Sequence, residues 1–128
     1  MEGGEHVAFQ SAHRSGNTFL RQYLEMITGV YTGSDMSIDM TFHEAQMGFL
    51  GQNKTGESNQ VWITKTHKPL DAPKCKSFHA SKMFVIARNP IDVMPSFAHM
   101  VNTSSHSLVT NEQYHIDTPV FWDNWVKA

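Results

Sequence analysis

The sequence predicts an α/β fold built on a mainly parallel sheet, and three observations carry that reading. Three short β-branched or aromatic runs recur along the chain, at residues 6–10, 61–64 ("VWIT") and 83–87 ("MFVIA"). Helical or mixed segments separate them, which is the order of strand–helix–strand units rather than of hairpins. Each run also stops at residues that do not continue a strand: "SAHRSGNT", "KTHKP" and "ARNP". In parallel sheets ligands sit beyond the carboxyl ends of the strands, so these three ends are expected to converge on one crevice.

Taken in order, the elements have local causes. Residues 17–28 read as an amphipathic helix, with Phe19, Leu20, Tyr23, Leu24 and Ile27 as its inward stripe and Gly29 as its stop. Residues 31–40 hold Thr, Gly, Ser and Asp and read mostly as loop. Residues 41–50 stay open between a short helix and an irregular segment. The polar run "GQNKTGESNQ", 51–60, reads as a surface loop, and 68–82, with Pro69, Pro73 and four lysines, as another. Pro90 suits the first turn of a helix over 91–100, which Pro95 must kink or interrupt. Residues 101–115 are polar and loop-like. Thr118 and Pro119 open a last helix over 118–127. Trp62, Phe84, Trp122 and Trp125 are expected in the core.

A chain of 128 residues fits one domain. With 40% hydrophobic and 17% charged residues, it is globular rather than disordered. A net charge of −2 argues against a general polyanion-binding field, hence against a nucleic-acid partner, and makes any anion site local. The lone Cys75 cannot form an internal disulfide, which leans toward a reducing compartment. No run approaches the ~20 apolar residues of a membrane span. Residues 1–5 lack the basic and apolar regions of a signal peptide. Asn53 and Asn102 begin glycosylation-type triplets, a pattern short enough to arise by chance.

The first junction is the most informative. A helix N-terminus offers unpaired N–H groups and a partial positive charge. Gly16 lets the backbone approach an anion, Arg14 adds a forked cation, and Asn17 and Thr18 can donate at the first turn. Together with Ser15 these residues make a nest for phosphate or a similar oxyanion. It is not a Walker A loop, because G-x-x-x-x-G-K-[ST] is absent. Simple helix capping would by itself account for Ser15, Asn17 or Thr18.

All three junctions together resemble the sulfotransferases that use 3′-phosphoadenosine 5′-phosphosulfate (PAPS). "HRSGNTFLR", 13–21, is similar to that family's P-[KR]-S-G-[TN]-T-[WF]-L loop, with His13 in place of the proline. "KTHKP", 65–69, is similar to its K-T-H-x-P element, and "ARNPIDVMPS", 87–96, to its R-N-x-x-D-x-x-x-S element. "TGVYTGSD" at 28–35 and Gly48-Phe49 bring the chain closer to the WSC-domain-containing branch, and "FWDNW" is similar to a later helix of the family.

The resemblance implies a P-loop-like, three-layer fold, of which this chain would be the N-terminal portion. The family's domain is longer and carries a further basic segment over the nucleotide. Another chain completing the sheet is one implied partner; a degenerate, non-catalytic subunit is the rival reading. The family has both cytosolic and Golgi-lumen branches. By resemblance, Arg14, Ser15, Gly16, Asn17 and Thr18 hold the 5′-phosphosulfate, and Lys65 neutralises the leaving phosphate. His67 takes the acceptor proton, and Arg88 and Ser96 bind the 3′-phosphate. That scheme needs no metal. Cys75 stands alone and no H-x-x-x-H pair occurs, so the other histidines read as surface or capping residues.

Overall fold

The computed structural model describes residues 5–37, 42–55, 60–68 and 75–103, with Asn111 and Asp123. The chain falls into two compact units, Met1–Arg88 and Asn89–Ala128. The first holds β1 (Val7–Ser11), α1 (Asn17–Thr28), β2 (Gly33–Ser34), α2 (Phe42–Gln46), β3 (Ile63–Thr66) and β4 (Lys82–Ile86). The second holds α3 (Pro90–Thr103).

The strands form one sheet in the order β2-β3-β1-β4, and every pairing is parallel. The α/β class expected from the run order is therefore the class observed. The register aligns the strand ends that matter: Gln10 lies opposite Thr66, and Ser11 opposite Ile86. Residues 12–16, His67 and Arg88 thus all leave the sheet at one edge, within a step or two of each other at about 3.3 Å per residue. One strand was not expected. Gly33 and Ser34 pair with Thr64 and Lys65 inside the segment read as loop, and two residues are too few to carry a periodic pattern.

Among the described residues, the first unit's apolar core is small: Ala8, Phe9, Phe49, Val61 and Ile63. Beside it lies a buried polar interior of Arg21, Thr32, Ser34, Asp35, Glu44, Gln52, Thr64, Lys65 and Thr66. This interior turns α1 over. Only part of the apolar stripe expected to face inward does so: Leu20 and Leu24 are half-buried, but Phe19 is 70% exposed, Tyr23 54% and Ile27 61%, while Asn17 and Arg21 are buried. The cause is the guanidinium of Arg21. Its Nε donates to Thr32 Oγ1 (2.8 Å), Nη1 to Gln52 Oε1 (2.8 Å) and Glu44 Oε2 (3.4 Å), and Nη2 to the Thr32 carbonyl (3.2 Å). The Phe49 ring lies under it at 4.4 Å. A buried cation is tolerated only when its donors are matched this fully, and matching them fixes the rotation of the helix.

The same network corrects two further expectations. The start of the 51–60 run is not a surface loop: Gly51, Gln52 and Thr55 are buried, because Gln52 serves Arg21. A Cβ at Gly51 would run into the Thr32 carbonyl oxygen and the Val61 side chain, so only glycine allows this close approach. Trp62 and Phe84 are not core residues either. Trp62 precedes β3 and is 36% exposed, and Phe84 lies on the edge strand β4, touching Phe9 at a ring separation of 5.5 Å but otherwise 57% exposed.

In the second unit, α3 runs through Pro95 without interruption. Its start is capped by Asn89, whose Oδ1 accepts from the Ile91 N–H (3.1 Å) and whose carbonyl accepts from Asp92 N (3.0 Å) and Val93 N (3.1 Å). The helix expected over 118–127, with Trp122 and Trp125, lies outside the described residues except for Asp123, which is helical.

Candidate oxyanion site

β1 ends at Ser11, and the chain turns into α1 through residues 12–16. Two of these take left-handed backbone: Arg14 at φ 63 and Gly16 at φ 90. At Gly16 this is free of Cβ strain; at Arg14 it costs about 1 kcal/mol. Gly16 is the N-cap of α1 and gives no side-chain cap. Its carbonyl accepts from Leu20 N (3.1 Å), leaving the first-turn N–H groups without a capping oxygen among the described residues. Ser15, only 8% exposed, adds a buried Oγ with no hydrogen-bond partner among the described residues. A short, uncapped helix start beside an unpaired hydroxyl is a place where an oxyanion would satisfy groups that nothing else satisfies.

Asn17 faces inward. Its Nδ2 donates to Ser11 Oγ (3.0 Å), tying the helix start to the strand end. Thr18 Oγ1 donates to Glu44 Oε1 (3.4 Å). Lys65 is also inward and 4% exposed, its Nζ donating to the same Glu44 oxygen at 2.6 Å. Burial lowers the pKa of Lys65 and Glu44 opposes that. Burial likewise lowers that of Arg21, again opposed by Glu44. Glu44 therefore sits between two buried cations and the first turn of α1.

Sequence reasoning missed Glu44. It falls in the segment left open, and no local pattern marks a counter-ion 21 residues from its lysine. Asp35 was missed as well. It ends the short β2 ladder, its Oδ2 accepts from Thr66 Oγ1 (2.7 Å), and its Oδ1 is buried with no hydrogen-bond partner among the described residues. Burial pushes this carboxyl above its ordinary pKa.

His67, one residue past β3, binds the carbonyl of Ser11 through Nδ1 at 2.7 Å. A carbonyl oxygen only accepts, so Nδ1 carries the proton and Nε2 holds the lone pair. Nε2 makes no hydrogen bond among the described residues. Burial first, then His13 and Lys65, depress the His67 pKa to about 4, so the ring is neutral at neutral pH. Its ring lies against that of His13, tilted by 33° at a centroid distance of 4.0 Å. From the third strand end, Arg88 Nη1 donates to the Arg14 carbonyl (3.0 Å), and the residue remains exposed.

The geometry thus brings Arg14, Ser15, Gly16, Asn17, Thr18, Lys65, His67 and Arg88 to one edge of one sheet. Ser96 lies on α3, in the second unit. Chemically, the edge offers helix-start N–H groups, a hydroxyl and an imidazole nitrogen that have no partner among the described residues, and two guanidinium groups. An open groove along the middle of α1, lined by Gln22, Glu25, Met26, Met47, Gly48 and Phe49, carries a carboxylate and no cation, and is not an anion site. Among the described residues no group of three or more His, Cys, Asp or Glu side chains could hold a metal ion. No helix among them is long and apolar enough to cross a membrane. No family model, curated protein or solved structure matches the chain.

Proposed function

We propose that this chain carries the donor site of a PAPS-dependent sulfotransferase, on a P-loop-like arrangement of strands and helices. The observation that supports it best is the meeting of the 11–18 junction, Lys65–His67 and Arg88 at one sheet edge, fastened by the His67–Ser11 and Arg88–Arg14 hydrogen bonds. A dianionic or trianionic ligand suits that edge, and a neutral imidazole beside it suits removal of a proton.

In the step itself, the acceptor oxygen or nitrogen forms a bond to sulfur. The bond from sulfur to the bridging oxygen breaks, and its electron pair stays on the phosphate of adenosine 3′,5′-bisphosphate. The acceptor proton passes to His67 Nε2. The first-turn N–H groups, Ser15 and Arg14 hold the transferring group and its phosphate, Lys65 stabilises charge on the leaving oxygen, and Arg88 takes the 3′-phosphate. An anion next to His67 favours the imidazolium, so the bound donor would raise its basicity from the depressed value of the empty site.

Adenosine 3′,5′-bisphosphate is the direct probe. Calorimetry should give one site, and NMR should show the His67 titration moving to higher pH on binding. A folded protein that binds no nucleotide at millimolar concentration would reject the reading. A second reading, a non-catalytic subunit of the same ancestry, is favoured by the Lys65–Glu44 pair, which holds the lysine inward, and by the uncovered apolar stripe of α1. Nucleotide binding with no sulfonate transfer to a panel of hydroxyl and amine acceptors would select it.

A further inference from the structure

We propose that His13 is a positioning residue for His67: the two imidazoles lie in tilted contact, and this contact, with the Ser11 carbonyl at Nδ1, restricts the second ring to one orientation, with Nε2 making no hydrogen bond among the described residues. The catalytic part of this rests on reading His67 as the base; the ring contact does not.

The physical need is simple. The outer torsion of a histidine is broad and roughly two-fold, so backbone packing alone does not fix the ring plane. A hydrogen bond at Nδ1 fixes one atom and leaves the ring free to swing about that bond. A flat surface against the ring face removes the swing. His13 supplies it at a centroid distance of 4.0 Å and an interplanar angle of 33°. His13 also belongs to the loop that forms the oxyanion nest, two residues before Ser15. An anion that orders that loop therefore orders the base as well, which couples donor binding to the direction in which the proton leaves.

The pair has a charge consequence. His67 is faced by His13 from the junction loop, Lys65 from β3 and Glu44 from α2; burial, His13 and Lys65 lower its pKa, and Glu44 raises it. His13 is faced by Lys65 and Glu44, and burial is the larger cause of its own lowered pKa. Two rings in such contact cannot both hold a proton at low cost, so charging His13 makes His67 harder to charge.

The test uses His13→Ala and His13→Phe in the intact chain, read by NMR of the His67 ring. In H13A the single Nδ1–H tautomer of His67 should give way to a mixture, and its titration midpoint should rise by about one pH unit as water reaches the bared face. H13F keeps a flat surface without a charge and should restore the single tautomer. In a sulfonate-transfer assay H13A should lower kcat about tenfold at unchanged donor KM, and H13F should recover most of it. If H13A does not fold, His13→Leu, which keeps bulk without a flat face, takes its place. An unchanged tautomer and titration in H13A or H13L would overturn the proposal. A wild-type chain that binds no nucleotide but shows the NMR response would remove the sulfotransferase reading and leave the ring pair. Transfer by the wild type with no NMR response would do the reverse.

Discussion

Glu44 is the residue on which most of the buried charge depends. Its oxygens lie 2.6 Å from Lys65 Nζ and 3.4 Å from Arg21 Nη1, and all three side chains are at most 5% exposed. Removing one partner of a buried pair leaves the others uncompensated, which costs about 3–5 kcal/mol. Glu44→Gln should therefore lower the unfolding free energy in urea by about that amount; a loss below about 1 kcal/mol would mean that water already compensates the cations.

His67 gives a second, independent signal. In the unfolded chain it titrates near the ordinary 6.5, and in the folded chain near about 4. Above the upper value the ring is neutral in both states. As pH falls between the two, only the unfolded chain takes up the proton, so stability falls, and below the lower value the loss stops growing. His13 is shifted in the same direction and adds to the slope. His67→Asn, which keeps a donor for the Ser11 carbonyl, should flatten the dependence of the urea midpoint on pH in that window. An unchanged slope would mean that the ring is solvated.

Among the elements, α1 is the one whose limits were readable and whose orientation was not. Its span, Asn17–Thr28, follows from a polar junction before it and Gly29 after it, whose N–H donates to the Glu25 carbonyl (2.9 Å). Its inward face was misread because periodicity finds an apolar stripe but cannot know that Thr32, Glu44 and Gln52 will gather around Arg21. β2 was missed for a related reason: its two residues are strand only because β3 lies beside them. The packing of β2 against the chain after α2 sets its own test. Gly51→Ala would press a methyl group into the Thr32 carbonyl and Val61, and should cost about 1–3 kcal/mol in the urea midpoint. No change would show that the chain at Gly51 yields to a methyl group at no cost.

At the largest scale, among the described residues of the first unit, the imbalance between a small apolar core and a large polar interior leaves apolar surface outside. On α1, Phe19, Tyr23, Met26 and Ile27 are exposed, and on β4 so are Met83, Phe84 and Val85. Because Met26 is 78% exposed, Met26→Lys should change stability by no more than about 0.5 kcal/mol. The same variant should reduce the fluorescence of the apolar dye ANS. A large loss of stability would mean that this face is covered.

What the sequence determined by itself was the order of elements, the parallel sheet, and the placing of Arg14, His67 and Arg88 at strand ends, because local turn chemistry and strand–helix alternation are written in neighbouring residues. Tertiary structure alone decided which way α1 faces, that Glu44 answers Lys65 and Arg21, and that His13 lies on His67. Those outcomes depend on which distant groups satisfy a buried charge or flatten against a ring, and pairing across space leaves no mark on the order of residues along the chain.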